Sequence, residues 1–172
     1  MFISFDQLPP AARLWVYQAN RALSSNEIVA VEAAMQPALA NWAAHGQPLL
    51  ASARVVDGRF LLVAVDEGAG LPSGCSIDSS VHTVQTIGQQ LSLNGEPLDF
   101  MDRSVTYLAV DNTVQSLPLG SLKAAFANGI LASETLVFNT LAKTKAEYLA
   151  DWHVPAAQTW LKRYIKQVVV YP

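Results

Sequence analysis

Apolar positions recur along the chain with two periods, and the switches between them mark out the elements. Leu14–Gln18 (LWVYQ) is β-branched and aromatic, which predicts a strand. Ser24 then stands three residues before Glu27, the two members of a capping box. Ile28, Val31, Met35, Leu39 and Trp42 follow at helical spacing, and Gly46 reads as the C-terminal cap. Pro37 interrupts that helix and predicts a kink or break. Leu49–Val56 and Arg59–Asp66 read as two strands joined at Asp57-Gly58, a strong hairpin signal. Phe60–Val65 is apolar on both faces, as a covered central strand would be. After a loop at Glu67–Gly74, a second helix carries Ile77, Val81, Val84, Gly88 and Leu91 on one stripe. Leu98–Phe100 reads as a short fourth strand.

This order of strand, helix, strand, strand, helix, strand predicts an α+β fold. For residues 1–103 it predicts a ferredoxin-like antiparallel sheet with two helices on one face. Residues 104–172 form a smaller α+β unit. In it, Val105–Val110 and Val114–Leu117 flank Asp111-Asn112-Thr113 as a hairpin. Leu122, Ala125 and Phe126 mark a short helix closed by Gly129, and Leu136–Phe138 is a further strand. Lys143–Trp152 and Gln158–Lys166 read as helices separated by Pro155, and Val168–Tyr171 as a strand or ordered tail. The two units are expected to pack as one body.

Composition narrows the function classes. Of 172 residues, 51% are hydrophobic and 15% charged, which excludes disorder and leaves enough apolar surface for a core without staples. The single Cys75 excludes a disulfide framework or a multi-cysteine zinc site. A charged fraction below the usual value of about 25% leaves a more apolar surface, and so favours a homo-oligomer or protein interface. The net charge of −3 argues against nucleic acid as a partner. Charge is uneven, however. Met1–Ala142 holds 6 Lys/Arg against 12 Asp/Glu, whereas Lys143 onward holds 5 against 2. That basic end (Lys143, Lys145, Lys162, Arg163, Lys166) is suited to an anionic partner, or else is a solvated face. The start MFISFDQLPP lacks the basic region of a secretory signal. No apolar run approaches the roughly 18 residues of a membrane span. A cytoplasmic protein without a membrane partner is expected.

Candidate chemistry is sparse. Gly74-Cys75-Ser76 follows a strand and opens a helix, in the place of a phosphate-binding loop, but Cys75 stands where such a loop needs lysine. Cys75 at a helix N-terminus is a thiolate candidate. Asp78 and His82 project from the same side and complete a candidate catalytic set. His82 lies about 10 Å along the helix from Cys75, beyond hydrogen-bond reach. A small cap-side thiol beside an ordinary surface histidine is the plainer reading. His45, His82 and His153 lack paired spacing, so neither a metal nor a cofactor is expected. Tyr148, Trp152, Trp160 and Tyr164 form an aromatic set around Pro155, suited to a peptide groove or to packing between the last two helices.

Two resemblances add to this. Leu8-Pro9, Ala12–Arg21, Ala44-His45-Gly46, Val63–Glu67, Ser73–Asp78, Asp99–Arg103, Thr135–Asn139 and Thr144–Glu147 resemble a family of small uncharacterised bacterial proteins. That family often carries the label of ABC transporter ATPase. The resemblance implies no established activity and transfers no catalytic residue. Residues 105–138, with Ser121-Leu122-Lys123, Gly129-Ile130 and Thr135-Leu136-Val137-Phe138, resemble a GYF-like domain. That resemblance implies binding of proline-rich peptides through aromatic residues. The expected function is therefore a non-catalytic protein-binding or interaction module. The alternative is a Cys75-dependent enzyme or redox protein, and a third reading is a phosphate or nucleotide binder with a degenerate P-loop-like turn at Gly74 and Ser76.

Overall fold

The computed structural model describes residues 1–44, 46–68, 74–93 and 95–166, with the side chains of 44 and 74–77 outside the description. Of the sequence expectations, His45, the Cys75 and Ser76 side chains and Val168–Tyr171 therefore lie outside the described residues. The chain is mixed α+β and divides into two units. The first is Met1–Asp102 with Thr140–Ala150, and the second is Arg103–Asn139 with the residues from Asp151 onward. The expected partition at 103/104 misses the return of 140–150 to the first unit.

In the first unit, β1 (Arg13–Gln18) leads to α1 (Ser25–Ala40) and a short ladder of β2 (Ala43–Ala44) and β3 (Gln47–Pro48). Next come β4 (Leu50–Val56), β5 (Phe60–Asp66) and α2 (Gly74–Ser92). The sheet has the order β1-β5-β4, with both pairs of neighbours antiparallel. The capping box at Ser24 and Glu27 forms as expected. So does the Asp57-Gly58 turn, where both residues take positive φ (51° and 60°) and Arg59 N donates to Val56 O. Such a turn matches the twist of the strands it joins.

Two expectations fail here for packing reasons. Pro37 does not break α1, which runs on to Ala40 and is capped by Asn41 rather than Gly46. Met35 and Leu39, on either side of the proline, are fully buried and hold the last turn in place. Leu98–Phe100 does not form a strand, so among the described residues the sheet has three strands and not the four of a ferredoxin-like one. Leu98 N instead takes the Ser92 hydroxyl at 2.8 Å. A Cβ at Gly88 would sit 3.0 Å from Leu98 O, so glycine there permits this close approach. An isolated bridge between Gln18 and Met101 and a bond from Asn20 N to Asp99 O tie the segment to the end of β1.

Every residue of β5 from Phe60 to Val65 is buried. On one face Leu61, Val63 and Val65 meet Val31, Met35 and Leu39 of α1 and Val84 and Ile87 of α2. The opposite face carries Leu62, which pairs with Val16 and Arg54. There the Arg54 guanidinium lies 4.9 Å over the Phe5 ring, in the 3₁₀ turn Phe5–Gln7. The helix α4 (Lys145–Asp151) joins that turn, with Leu14 N bonded to Lys143 O and Lys145 N to Ala12 O. Burial of each aliphatic side chain contributes about 1.5–3 kcal/mol.

The second unit holds β6 (Val105–Leu108), β7 (Val114–Leu117), α3 (Leu122–Ala127), β8 (Leu136–Phe138) and β9 (His153–Pro155). Its antiparallel sheet runs β7-β6-β8-β9 around a core that includes Leu122, Leu131, Val137, Ala156 and Leu161. The hairpin at Asp111–Thr113 and the positive φ of Gly129 agree with the sequence pattern. The expected helices over 143–152 and 158–166 do not both form. The strand β9 lies between them, and Trp160–Tyr164 is a 3₁₀ turn capped by the Thr159 hydroxyl. Pro155 supplies no N–H for a helix to continue on, and buried Leu161 pins the tight turn.

Candidate functional site

The expected catalytic residues lie on or near α2, with the Cys75 side chain outside the described residues. Cys75 lies in the first turn of α2, and Asp78 and His82 are exposed along that helix. Among the described residues, no group of three His, Cys, Asp or Glu is placed to hold a metal. The expected aromatic set is divided. Tyr148 packs edge-on against Phe5 in the first unit, at 6.0 Å between centroids. Trp152 packs against Phe138 in the second unit at 5.5 Å. Trp160 and Tyr164 lie edge to face at 6.2 Å.

Charged groups in the first unit are engaged within it. Arg21 makes a two-pronged contact to Glu27, with bonds of 2.7 and 3.0 Å, and also binds the Glu96 and Pro97 carbonyls. These bonds lower the Glu27 pKa to about 2, chiefly through the Arg21 guanidinium and then through the Ser24 backbone. The Lys145 ammonium is buried and donates to the carbonyls of Phe5, Asp6 and Leu8 at 3.0, 3.0 and 2.6 Å. It closes the C-terminal end of the 3₁₀ turn, where carbonyls gather and a cation is favoured. Arg54 binds Asp6 at 3.0 Å. Arg13 faces Glu67 at 3.9 Å, and burial raises the Glu67 pKa above its ordinary value despite that arginine. The Tyr17 hydroxyl meets that of Ser80 at 2.6 Å, and burial raises the tyrosine pKa. The Arg21, Lys145 and Arg54 contacts brace the fold, whereas the facing atoms of Arg13 and Glu67 are buried without a hydrogen bond.

The second unit differs. A groove of 560 Å³ opens between α3, the segment 129–133 and the turn that carries Arg163–Lys166. Phe126 and Tyr164 form one wall, stacked nearly parallel (6°) with centroids 6.0 Å apart. Leu131, almost fully buried, contributes to the apolar lining. The Arg163 guanidinium lies 4.8 Å over Trp160 and 5.3 Å over Tyr164. Trp160 itself is 39% exposed beside the groove. Lys123 and Lys166 complete a lining with three cations, and no carboxylate lines it among the described residues. All the ion pairs found among the described residues belong to the first unit, so none engages Lys123, Arg163 or Lys166.

An apolar concavity of this size with a few oriented charges is the usual form of a binding site. The sequence offered part of it, through the basic cluster and the aromatics of 160–166. Residue patterns did not single out Lys123, Phe126 or Leu131 as groove residues, although all three fall within the segment that resembles a GYF-like domain. No helix among the described residues is long and apolar enough to cross a membrane. Searched against known protein families, curated proteins and solved structures, the chain matches none.

Proposed function

We propose that this chain is a non-catalytic protein-binding module whose second unit receives a short segment of a partner in the groove beside α3. The observation that carries this reading is the stacked pair Phe126–Tyr164, which walls an open 560 Å³ cavity rather than a closed core. Aromatic side chains supply large contact area at low cost in side-chain entropy, and with arginine they dominate interface energetics. The resemblance of residues 105–138 to a GYF-like domain points the same way, toward peptide capture on aromatics. A cytoplasmic location belongs to this reading.

Selection of a random peptide library on the full chain tests it. Bound peptides are expected to shift the backbone amides of residues 123–133 and 163–166 in ¹⁵N spectra. Tyr164→Ala should weaken them by about tenfold or more, as loss of an interface anchor does. Peptides that perturb only the first unit, or that ignore Tyr164→Ala, would remove the groove from the account.

A further inference from the structure

Resting on that reading, we propose that the groove selects an acidic segment, one with carboxylates flanking a bulky apolar anchor. Three features of the groove argue for it. Lys123, Arg163 and Lys166 all line it, with no acidic side chain among the described lining residues. The second unit as a whole carries five Lys/Arg against three Asp/Glu, whereas the first carries six against eleven. Four of those five cations (Lys123, Lys162, Arg163 and Lys166) lie in the groove lining or in the turn that forms its edge. The excess is therefore local.

The third feature is how Arg163 is held. It is exposed and lies within cation–π distance of two aromatic rings, with no carboxylate paired to it among the described residues. A guanidinium held against aromatic rings still has N–H groups to offer a carboxylate in a two-pronged contact. The apolar lining of Phe126, Leu131, Tyr164 and Ile165 suits an aliphatic or aromatic side chain between such carboxylates. Nucleic acid offers anions too. A unit with a net charge of only +2, in a chain of −3, lacks the basic excess that phosphate backbones select for.

The test uses the full chain and three synthetic peptides that share one Phe-Leu core. Their flanks are Glu/Asp, Gln/Asn or Lys, and binding is read by anisotropy of a fluorescent label. The acidic peptide is expected to bind about tenfold or more tighter than the Gln/Asn peptide, with affinity that falls as salt rises. Arg163→Gln should erase most of that difference. Equal binding of the acidic and Gln/Asn peptides, with loss in Tyr164→Ala, would overturn the charge selectivity and leave the groove reading intact. Failure of all three peptides would overturn both. A single-stranded oligonucleotide that binds more tightly than the acidic peptide, with the same dependence on Arg163, would replace the peptide by nucleic acid.

Discussion

In the first unit, Arg13, Arg21 and Arg54 each face a carboxylate of the same unit, and Arg59 lies in the field of Asp102. Around the groove of the second unit, Lys123, Arg163 and Lys166 have no such partner among the described residues, and Arg163 rests on aromatic rings instead. The same residue types thus do different work. An ion pair closed within a unit fixes a loop or a helix end. It has little left to offer a ligand, because both charges are already neutralised. A cation oriented by an aromatic face adds little to stability but meets an incoming carboxylate at small reorganisation cost. The sheets differ in the same sense. In the first unit, β5 is covered on both faces, by α1 and α2 on one and by Phe5 and its neighbours on the other. In the second unit the strand β8 leaves Leu136 partly exposed.

The largest expected effect breaks the first half of this comparison. Lys145→Met keeps the length of the side chain but strips the carbonyls of Phe5, Asp6 and Leu8 of their shared donor. Loss of a charged donor to buried acceptors should cost about 2–4 kcal/mol. Chemical denaturation read by circular dichroism measures it. A loss below about 1 kcal/mol would mean that water replaces the ammonium and that the lysine is no brace.

Glu27→Gln should come next. Glu27 caps α1 at Ser24 and grips Arg21, so its loss is expected to cost about 1–2 kcal/mol at neutral pH, allowing for partial exposure of the pair. Folding lowers this carboxyl from its ordinary 4.5 to about 2. Between those values the unfolded chain therefore binds the proton first. Stability from this group is complete above about pH 5 and is lost as the pH falls toward 2. The wild-type chain should weaken over that window more steeply than Glu27→Gln. Parallel slopes in acid titrations of the two would remove the linkage.

The elements that local chemistry dictates were legible in the sequence. Ser24 with Glu27, Asp57-Gly58 and the Asp111–Thr113 turn each impose a backbone that few residues satisfy, and each appears where expected. What depended on distant packing was not legible. Pro37 was tolerated because Met35 and Leu39 are buried around it. Leu98–Phe100 was drawn away from the sheet by Ser92 and by the close approach at Gly88. The aromatic set around Pro155 looked like one cluster because its members are close in sequence. A return of 140–150 to the first unit sends Tyr148 to Phe5, whereas β9 leaves Trp152 on Phe138. The groove was half legible for the same reason. Its basic and aromatic positions near the C-terminus stand out together, whereas Phe126 meets Tyr164 only through the fold.

The smallest effects are expected where the second unit should be indifferent to its own charges. Arg163→Gln removes two cation–π contacts at an exposed site and should cost no more than about 1 kcal/mol. A loss above about 2 kcal/mol would make Arg163 a structural brace like Lys145, and the contrast between the units would fall. Lys123→Gln combined with Lys166→Gln should change stability by less than about 0.5 kcal/mol. Any change should be toward greater stability, since two of three like charges that line one groove are then gone. That small gain should shrink further at high salt, because screening removes the repulsion it relieves. A double variant clearly less stable than wild type, at low and high salt alike, would show that these lysines hold internal partners, and the groove would then have no standing charge for an acidic segment to neutralise.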